Sequence, residues 1–271
     1  MLLYSDTSAN EIQDLAKKSR LLVLEMTNKS KASHVGSCLS VIDILSTIYY
    51  LQSNAKNFDE IEVILSKGHA AAAAYSILAN LNEISMKDIS EYCEDGSLLN
   101  GHISHLVSPK IRLSTGSLGH GFPFGIGLAL ANLQRKKEIK TFVVMSDGEC
   151  DEGTTWESAL IANQYGLKNL VVVIDRNFIQ SLGRTEDVMK LEPLADKWKS
   201  FGFQVIEVDG HDHRSLLETL NRDFELPTCI IANTTKGKGV SYMEDTVLWH
   251  YRSPNTEELA QARAEVESPK K

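Results

Sequence analysis

Two polar turns directly follow apolar segments in the middle of the chain. Asp147-Gly148 comes after residues 141–145, and Asn177 comes thirty residues after Asp147, behind residues 170–174. Both segments are rich in β-branched residues and are typical of buried strands, and the residues between them have helical spacing. Because the carboxyl ends of neighbouring parallel strands share one edge of a sheet, we expect Asp147 and Asn177 to meet there. Such oxygen donors suit a Mg²⁺ ion that also holds phosphate.

The elements that position these residues alternate along the chain. The pattern predicts strands at 61–65, 141–145, 170–174, 203–208 and 228–233, and helices at 11–26, 40–51, 70–78, 124–133, 154–165, 194–200 and 215–224. This alternation indicates an α/β fold with a mostly parallel sheet and helices on both faces. Asp212 is placed to cap the helix that follows it, near His211 and His213.

Length and composition favour one large domain. The 271 residues are 42% hydrophobic, enough for a substantial core, and we expect a domain over 1–256 followed by a C-terminal tail over 257–271. The tail is predicted to be a short, exposed helix that frays.

Charge and cysteine spacing argue against several classes of partner. The net charge is −8 without a basic stripe, which argues against nucleic acid or an anionic membrane as the partner. The four cysteines form no C-x-x-C pair, so neither a disulfide framework nor a zinc site is indicated. The chain also shows neither a targeting segment nor an apolar run of membrane-spanning length, and we expect a cytoplasmic protein.

Six polar motifs lie between these predicted strands and helices along the chain. They are Ser33-His34-Val35-Gly36, Leu65-Ser66-Lys67-Gly68-His69, Gly101-His102, the glycine-rich segment 114–121, the pair Asp147 and Asn177, and Lys236-Gly237-Lys238-Gly239-Val240 with Trp249-His250. Over nearly the whole chain they resemble the N-terminal, diphosphate-binding half of transketolase, as found in enzymes split between two subunits. The resemblance implies the three-layer thiamine diphosphate-binding α/β fold. One departure is Ser146, which stands where the Gly-Asp-Gly fingerprint begins with glycine.

The resemblance also implies the cofactor site. Thiamine diphosphate would be held with Mg²⁺, for which Ca²⁺ or Mn²⁺ can substitute, and the metal ligands would be Asp147, Asn177 and the main-chain carbonyl of Ile179. The remaining cofactor-binding residues implied by the resemblance are Gly116, Ser117, Leu118, Gly148, Glu149, Glu152, His69 and His250. The catalytic residues would be His34, His69, His102 and His250, because imidazole can donate or accept the protons that ketol chemistry moves. Lys236 and Lys238 either close over the anionic cofactor or form a solvated basic turn.

The activity implied is the transfer of a two-carbon ketol unit from a ketose to an aldose. The substrate would be a sugar phosphate, as in pentose phosphate metabolism, or another anionic sugar. The partner would be a second chain with the pyrimidine-binding and C-terminal domains, in an α2β2 assembly. That chain would carry the family's catalytic Glu, so we expect the present chain alone to be inactive.

Other interpretations remain open. A component of deoxyxylulose phosphate synthase or of a 2-oxo acid dehydrogenase would bind the same cofactor, although the Leu65–His69 and Trp249-His250 motifs favour transketolase. A non-catalytic, cofactor-binding regulatory protein is a further alternative, but the retained Asp147, Asn177, His69 and His250 count against it.

Overall fold

The computed structural model describes residues 6–55 and 60–268. Its five strands are β1 (Ile61–Leu65), β2 (Lys140–Ser146), β3 (Leu170–Arg176), β4 (Gln204–Asp209) and β5 (Thr228–Asn233). The helices are α1 (Asp6–Ser30), α2 (Val35–Asn54), α3 (Ala71–Asn80), α4 (Met86–Ser90), α5 (Gly121–Gln134), α6 (Gly153–Gln164), α7 (Thr185–Val188), α8 (Leu194–Ser200), α9 (His213–Leu220) and α10 (Thr256–Glu267). Short 3-10 turns cover Gly68–Ala70, Gly148–Asp151 and Leu248–His250.

The strands form one sheet in the order β1-β2-β3-β5-β4, and every neighbouring pair is parallel. All seven residues of β3 are buried, as expected for the central strand of a sheet covered on both faces. The register places Ser146 beside Asp175, so the residues that follow β2 and β3 leave the sheet at the same level. The predicted parallel α/β architecture is confirmed.

Alternate residues of each strand enter two separate cores. Phe142 and Val144 pack on the face covered by α1, α2 and α3, whereas Val143 and Met145 pack on the face covered by α5, α6 and α8. This period of two is the direct consequence of the strand geometry. Helices on both faces give the three layers implied by the resemblance.

Most predicted segments are confirmed, and the differences lie at their ends. The predicted bounds of β1, β5 and α8 match the structure. The second helix, however, begins at Val35 rather than at residue 40, because Val35, Cys38 and Leu39 are fully buried. This earlier start places His34 at the helix N-cap.

Helix α10 confirms the predicted short helix, but it docks on α1 through two buried residues and is exposed only in part. A capping box between Asn255 and Glu258 starts the helix, as the hydrogen bonds of both residues show. Ala262 and Val266 are buried, and Arg263 pairs with Glu25 of α1. Residues 269–271 of the predicted tail lie outside the described residues.

A buried carboxylate joins α1, α2 and the start of α9. Asp43 accepts hydrogen bonds from Arg20, from His211 Nδ1 at 2.7 Å and from His213 Nε2 at 2.9 Å. We call these four residues the Asp43 cluster. Burial raises the pKa of Asp43, but the Arg20 charge and the two histidine hydrogen bonds outweigh it and hold the pKa well below its ordinary value. The backbone N–H of Thr235 donates to His211 Nε2 at 2.8 Å, so the cluster also anchors the segment after β5.

Asp212 caps α9 as predicted. Its side chain accepts hydrogen bonds from the backbone N–H groups of Arg214 and Ser215.

Helix α2 is long and apolar enough to cross a membrane by length and composition. However, 94% of the relevant window is buried inside the protein, as in the core helix of a globular domain.

Candidate active site

A cavity of about 200 Å³ opens at the carboxyl edge of the sheet. Such an edge is where α/β folds commonly bind ligands, because the strand-to-helix turns converge there. The lining residues come from every motif that the sequence singled out: His34, Ser37, His69, His102, Gly116, Leu118, Ser146, Asp147, Gly148, Asn177, Ile179, Gln180, Ser181, Lys236 and His250. The structure therefore brings the distant motifs together.

Asp147 is buried at the start of the turn after β2. Its Oδ1 accepts from Gly148 N at 2.8 Å, and its Oδ2 accepts from Phe178 N at 2.8 Å and from Thr185 Oγ1 at 3.0 Å. Arg176 Nη1 lies 3.3 Å from the same Oδ2. Burial raises the pKa of Asp147, and the Arg176 charge opposes that shift only in part. These bonds fix the carboxylate against the turn that follows β3.

The turn after β3 presents amide and carbonyl oxygens beside this carboxylate. Asn177 Oδ1 accepts from Ile179 N at 3.1 Å, while Phe178 adopts a left-handed backbone conformation with φ of 64°. That conformation is uncommon for a residue with a bulky side chain, and strained backbone of this kind clusters at functional sites. The tight turn keeps Asn177 and Ile179 on the cavity wall.

The donor set fits a hard divalent cation beside a diphosphate. Asp147 offers a carboxylate, Asn177 an amide oxygen and Ile179 a carbonyl, and Mg²⁺ completes such a partial set with phosphate and water oxygens. Within residues 6–55 and 60–268 there is no group of three His, Cys, Asp or Glu side chains that could hold a metal ion. A metal here would therefore depend on the mixed oxygen set and on a phosphate ligand.

Gly148 leaves room for a close approach at the same turn. A Cβ atom built on Gly148 would lie 2.9 Å from the Gln180 side chain, so a larger residue would require Gln180 to move. This agrees with a backbone that contacts a diphosphate directly.

The buried side chain of Glu149 supports the glycine-rich segment 114–121 through hydrogen bonds. Its Oε1 accepts a hydrogen bond from the Ser66 hydroxyl and another from Gly119 N, at 2.9 Å for the amide. Gly119 has a φ of +79°, and a Cβ there would lie 2.4 Å from Thr154 Oγ1. Burial raises the pKa of Glu149 despite these two donors. Glu149 thus ties the glycine-rich loop to the end of β1.

Four histidines surround the opposite side of the cavity, and we call them the histidine cleft: His34, His69, His102 and His250. The ring centre of His34 lies 5.3 Å from that of His69, 5.6 Å from that of His102 and 5.1 Å from that of His250. The prediction that these four histidines lie close together in one cleft is confirmed. His34 has a left-handed backbone with φ of 75°, and its N–H donates to the His250 carbonyl at 2.7 Å.

Burial and nearby cations keep the rings of His34, His69 and His250 neutral. Burial lowers the pKa of His34 to about 4 and that of His250 to about 3, with His102, Lys236 and Lys67 adding to the effect on one ring or both. Burial and Lys67 also hold the pKa of His69 well below its ordinary value. A neutral imidazole carries one donor and one acceptor nitrogen. In the free chain His34, His69 and His250 are therefore neutral near pH 7, and proton transfer by these rings during ketol chemistry stays a prediction.

Lys236 is the cation in direct contact with the histidine cleft. Its Nζ donates to the Ile179 carbonyl at 3.1 Å and lies 3.0 Å from His250 Nδ1. It is only 1% exposed, and burial together with the Lys67 charge lowers its pKa to about 8. The solvated-turn interpretation therefore fails for Lys236. Lys238, by contrast, is 41% exposed and pairs with Glu244.

Sequence reasoning missed the ion pair beneath the cavity. Lys67 and Asp175 are completely buried and joined side chain to side chain. Asp175 also accepts from Ser40 Oγ at 2.6 Å and from the Thr234 hydroxyl. Burial raises the pKa of Asp175, but the Lys67 charge and these donors lower it on balance. Lys67 lies within the Leu65–His69 motif. Asp175 follows an apolar segment, and no sequence signal marked it as the partner of Lys67.

Three of the residues assigned to the cofactor do not line the cavity. Ser117 is exposed, Glu149 is buried below the loop, and Glu152 is exposed at the N-cap of α6. Glu149 supports the glycine-rich segment, since its Oε1 accepts from Ser66 and Gly119. Cofactor contact by these three residues stays a prediction.

Known proteins are similar to this chain in sequence and in fold. Residues 12–268 match the family described as transketolase, thiamine diphosphate binding domain. The chain is 39% identical to an apulose-4-phosphate transketolase subunit of Phocaeicola vulgatus, over 93% of this chain and 92% of that protein. It is 33% identical to 6-deoxy-6-sulfo-D-fructose transketolase subunit SqwG of a Clostridium species, over 95% and 96% of the two chains.

The fold is likewise similar to that of a solved transketolase. The crystal structure of transketolase from Campylobacter jejuni superposes with a TM-score of 0.88 at 26% identity, covering 95% of this chain and 43% of that one. The chain thus spans less than half the length of that enzyme. It belongs to the transketolase thiamine diphosphate-binding domain family, and the relatives named as subunits support an enzyme subunit of the ketol-transferring class.

Proposed function

We propose that this chain holds the diphosphate of thiamine diphosphate with Mg²⁺ and forms the active site of a two-chain transketolase. The second chain would carry the pyrimidine-binding and C-terminal domains, in an assembly with two copies of each. The observation that carries this proposal is the meeting of Asp147, Asn177 and four histidines in one cavity. Relatives of matching length that are named as transketolase subunits support the second chain.

The chain's own residues would divide the work across the cavity. Asp147, Asn177 and the Ile179 carbonyl would hold the metal, and Gly148 would approach the diphosphate. The Ile179 carbonyl also accepts from Lys236, and its second lone pair remains for a cation. When bound, thiamine diphosphate supplies the carbon nucleophile and the electron sink for cleavage of the ketose C–C bond.

The histidine cleft would orient the sugar by hydrogen bonds. Neutral rings at His34, His69 and His250 can donate to carbonyl oxygens and accept from hydroxyl groups at pH 7. Negative charge entering the cavity would raise these pKa values and make proton uptake by the rings easier.

The substrate would be an anionic sugar. One relative is named for a sugar phosphate and another for a sulfonated sugar. These names support an anionic sugar as the substrate, but they do not distinguish a phosphate from a sulfonate group. The activity assay should therefore include phosphorylated and sulfonated sugars, both as ketose donors and as aldose acceptors.

The test is reconstitution. The tagged chain is captured from its native cells with thiamine diphosphate and Mg²⁺, the co-purifying chain is identified by native mass spectrometry, and ketol transfer is measured with both chains. We expect activity only from the pair, and a loss of at least a hundredfold in kcat/KM for Asp147→Ala. The matched control is Asp196→Asn, which changes an exposed carboxylate paired with Lys199 far from the cavity.

Three results would contradict the proposal. Ketol transfer by the chain alone would remove the need for a partner. Full activity of Asp147→Ala would remove the metal site. Release of CO₂ from pyruvate by the reconstituted pair would instead indicate a 2-oxo acid or deoxyxylulose phosphate enzyme.

A further inference from the structure

We infer that Lys236 is a positioning residue that fixes His250 as the tautomer with its proton on Nε2. A neutral imidazole can carry its proton on either nitrogen, and the partner of one nitrogen decides which is protonated. In this chain the partner of Nδ1 is the Lys236 ammonium, at 3.0 Å. An ammonium has three donors and no acceptor, so Nδ1 must accept and Nε2 must carry the proton.

The geometry keeps Lys236 in this place. Its ammonium is buried, with a second hydrogen bond to the Ile179 carbonyl at 3.1 Å. Its backbone is also anchored on both sides, since Gly237 N donates to the Gly36 carbonyl at 3.0 Å and Asp245 N donates to the Lys236 carbonyl at 2.9 Å. The lysine therefore has little freedom to leave the imidazole.

The backbone of His250 is fixed in the same way. Its carbonyl accepts from His34 N at 2.7 Å, and its own N–H donates to the Val247 carbonyl at 2.9 Å. Because His250 lines the cavity and Nδ1 is occupied, Nε2–H is the polar group that its ring offers to a ligand. A donor suits a carbonyl or hydroxyl oxygen of a sugar, and a fixed donor avoids the cost of selecting a tautomer on binding.

The role in ketol transfer rests on the proposed function, whereas the tautomer itself is a property of the free chain. It is measured by long-range ¹H–¹⁵N NMR of the full chain labelled with ¹⁵N-histidine, at about pH 7. The His250 signals are assigned by their loss in His250→Asn. We expect a pyridine-type shift at Nδ1 and a pyrrole-type shift at Nε2. A failed tautomer test and a failed activity test are therefore distinguishable.

The variants separate this role from general packing. In Lys236→Met, which removes the donor and keeps an unbranched side chain, we expect the two His250 nitrogen shifts to move toward an exchange average. Lys238→Met is the matched control, because Lys238 is two residues away and pairs with Glu244 instead. It should leave the His250 pattern unchanged, and the backbone amide spectrum reports whether each variant is folded.

Two outcomes would overturn the inference. A proton on Nδ1 in the unmodified chain would do so at once, whether or not Lys236→Met folds. An unchanged pattern in folded Lys236→Met would show that another group sets the tautomer. In the reconstituted enzyme, the same variant should lower kcat at least tenfold with KM changed less than threefold.

Discussion

Six of the eight histidines form two groups that surround opposite charges. The histidine cleft faces the ammonium groups of Lys236 and Lys67, whereas the Asp43 cluster holds His211 and His213 against a carboxylate. In the cleft, burial first and the cations second oppose protonation of His34, His69 and His250, so these three rings stay neutral and free to bind a ligand. In the cluster the carboxylate takes up the ring donors and Arg20, which locks three segments together. Burial together with the neighbouring charge, more than the residue type, determines whether histidine serves binding or stability.

Removing the carboxylate should have the largest effect. Asp43→Ala leaves the largely buried Arg20 without its counter-charge and frees two ring donors. Breaking a buried ion pair from one side costs about 3–5 kcal/mol in the free energy of unfolding. Urea denaturation of the full chain measures this, with the exposed Asp196→Asn as the control. A loss below about 1 kcal/mol would show that the cluster adds little stability.

Lowering the pH should reduce the unfolding free energy through the histidine cleft first and through the Asp43 cluster at lower pH. The pKa values of His34 and His250 fall from 6.5 to about 4 and about 3, so the unfolded chain binds more protons than the folded chain in that window. The unfolding free energy must then decrease as pH falls from 6.5 toward 4. After a discount for partial exposure, we expect a loss of about 2 kcal/mol.

The carboxylate responds in a lower pH window. Asp43 has a lowered pKa, so its stabilisation is complete above the ordinary value of 3.8 and is lost as pH falls below it. Urea titrations at a series of pH values should show the two losses in sequence. A His34→Asn, His250→Asn double variant should show a smaller first loss, with the part due to His69 remaining, and should keep the second loss; a double variant with an unchanged profile would contradict the assignment.

Removing the cleft cation should have the smallest effect on stability, and the opposite sign. The pKa of Lys236 falls from 10.5 to about 8, which means that its charge opposes folding at pH 7 and ceases to do so above about 10.5. Lys236→Met removes that cost and loses two hydrogen bonds, for a net gain of about 1 kcal/mol. Urea denaturation checks it beside Lys238→Met, for which we expect a change within about 0.5 kcal/mol. A clear loss of stability in Lys236→Met would refute this sign.

The fold and the ligand-facing turns could be predicted because their signals are local. Apolar β-branched segments identified the strands, and Asp147 and Asn177 stand directly after two of them. The Lys67–Asp175 pair joins residues 108 positions apart, and His211 and Asp43 are 168 apart. Such contacts leave no periodicity in either segment. The docking of α10 escaped prediction for the same reason, since its two buried residues stand among many polar ones.

The hydrogen bond from His34 N to the His250 carbonyl has a mechanical consequence. It joins the residue before α2 to the last turn before α10, so two segments that are 216 residues apart in the chain are connected at the cleft. His34 is held there in a left-handed backbone conformation. Any displacement of the segment around His250 is transmitted to the start of α2. On the microsecond to millisecond timescale, the two sides of the cleft should therefore move as one body.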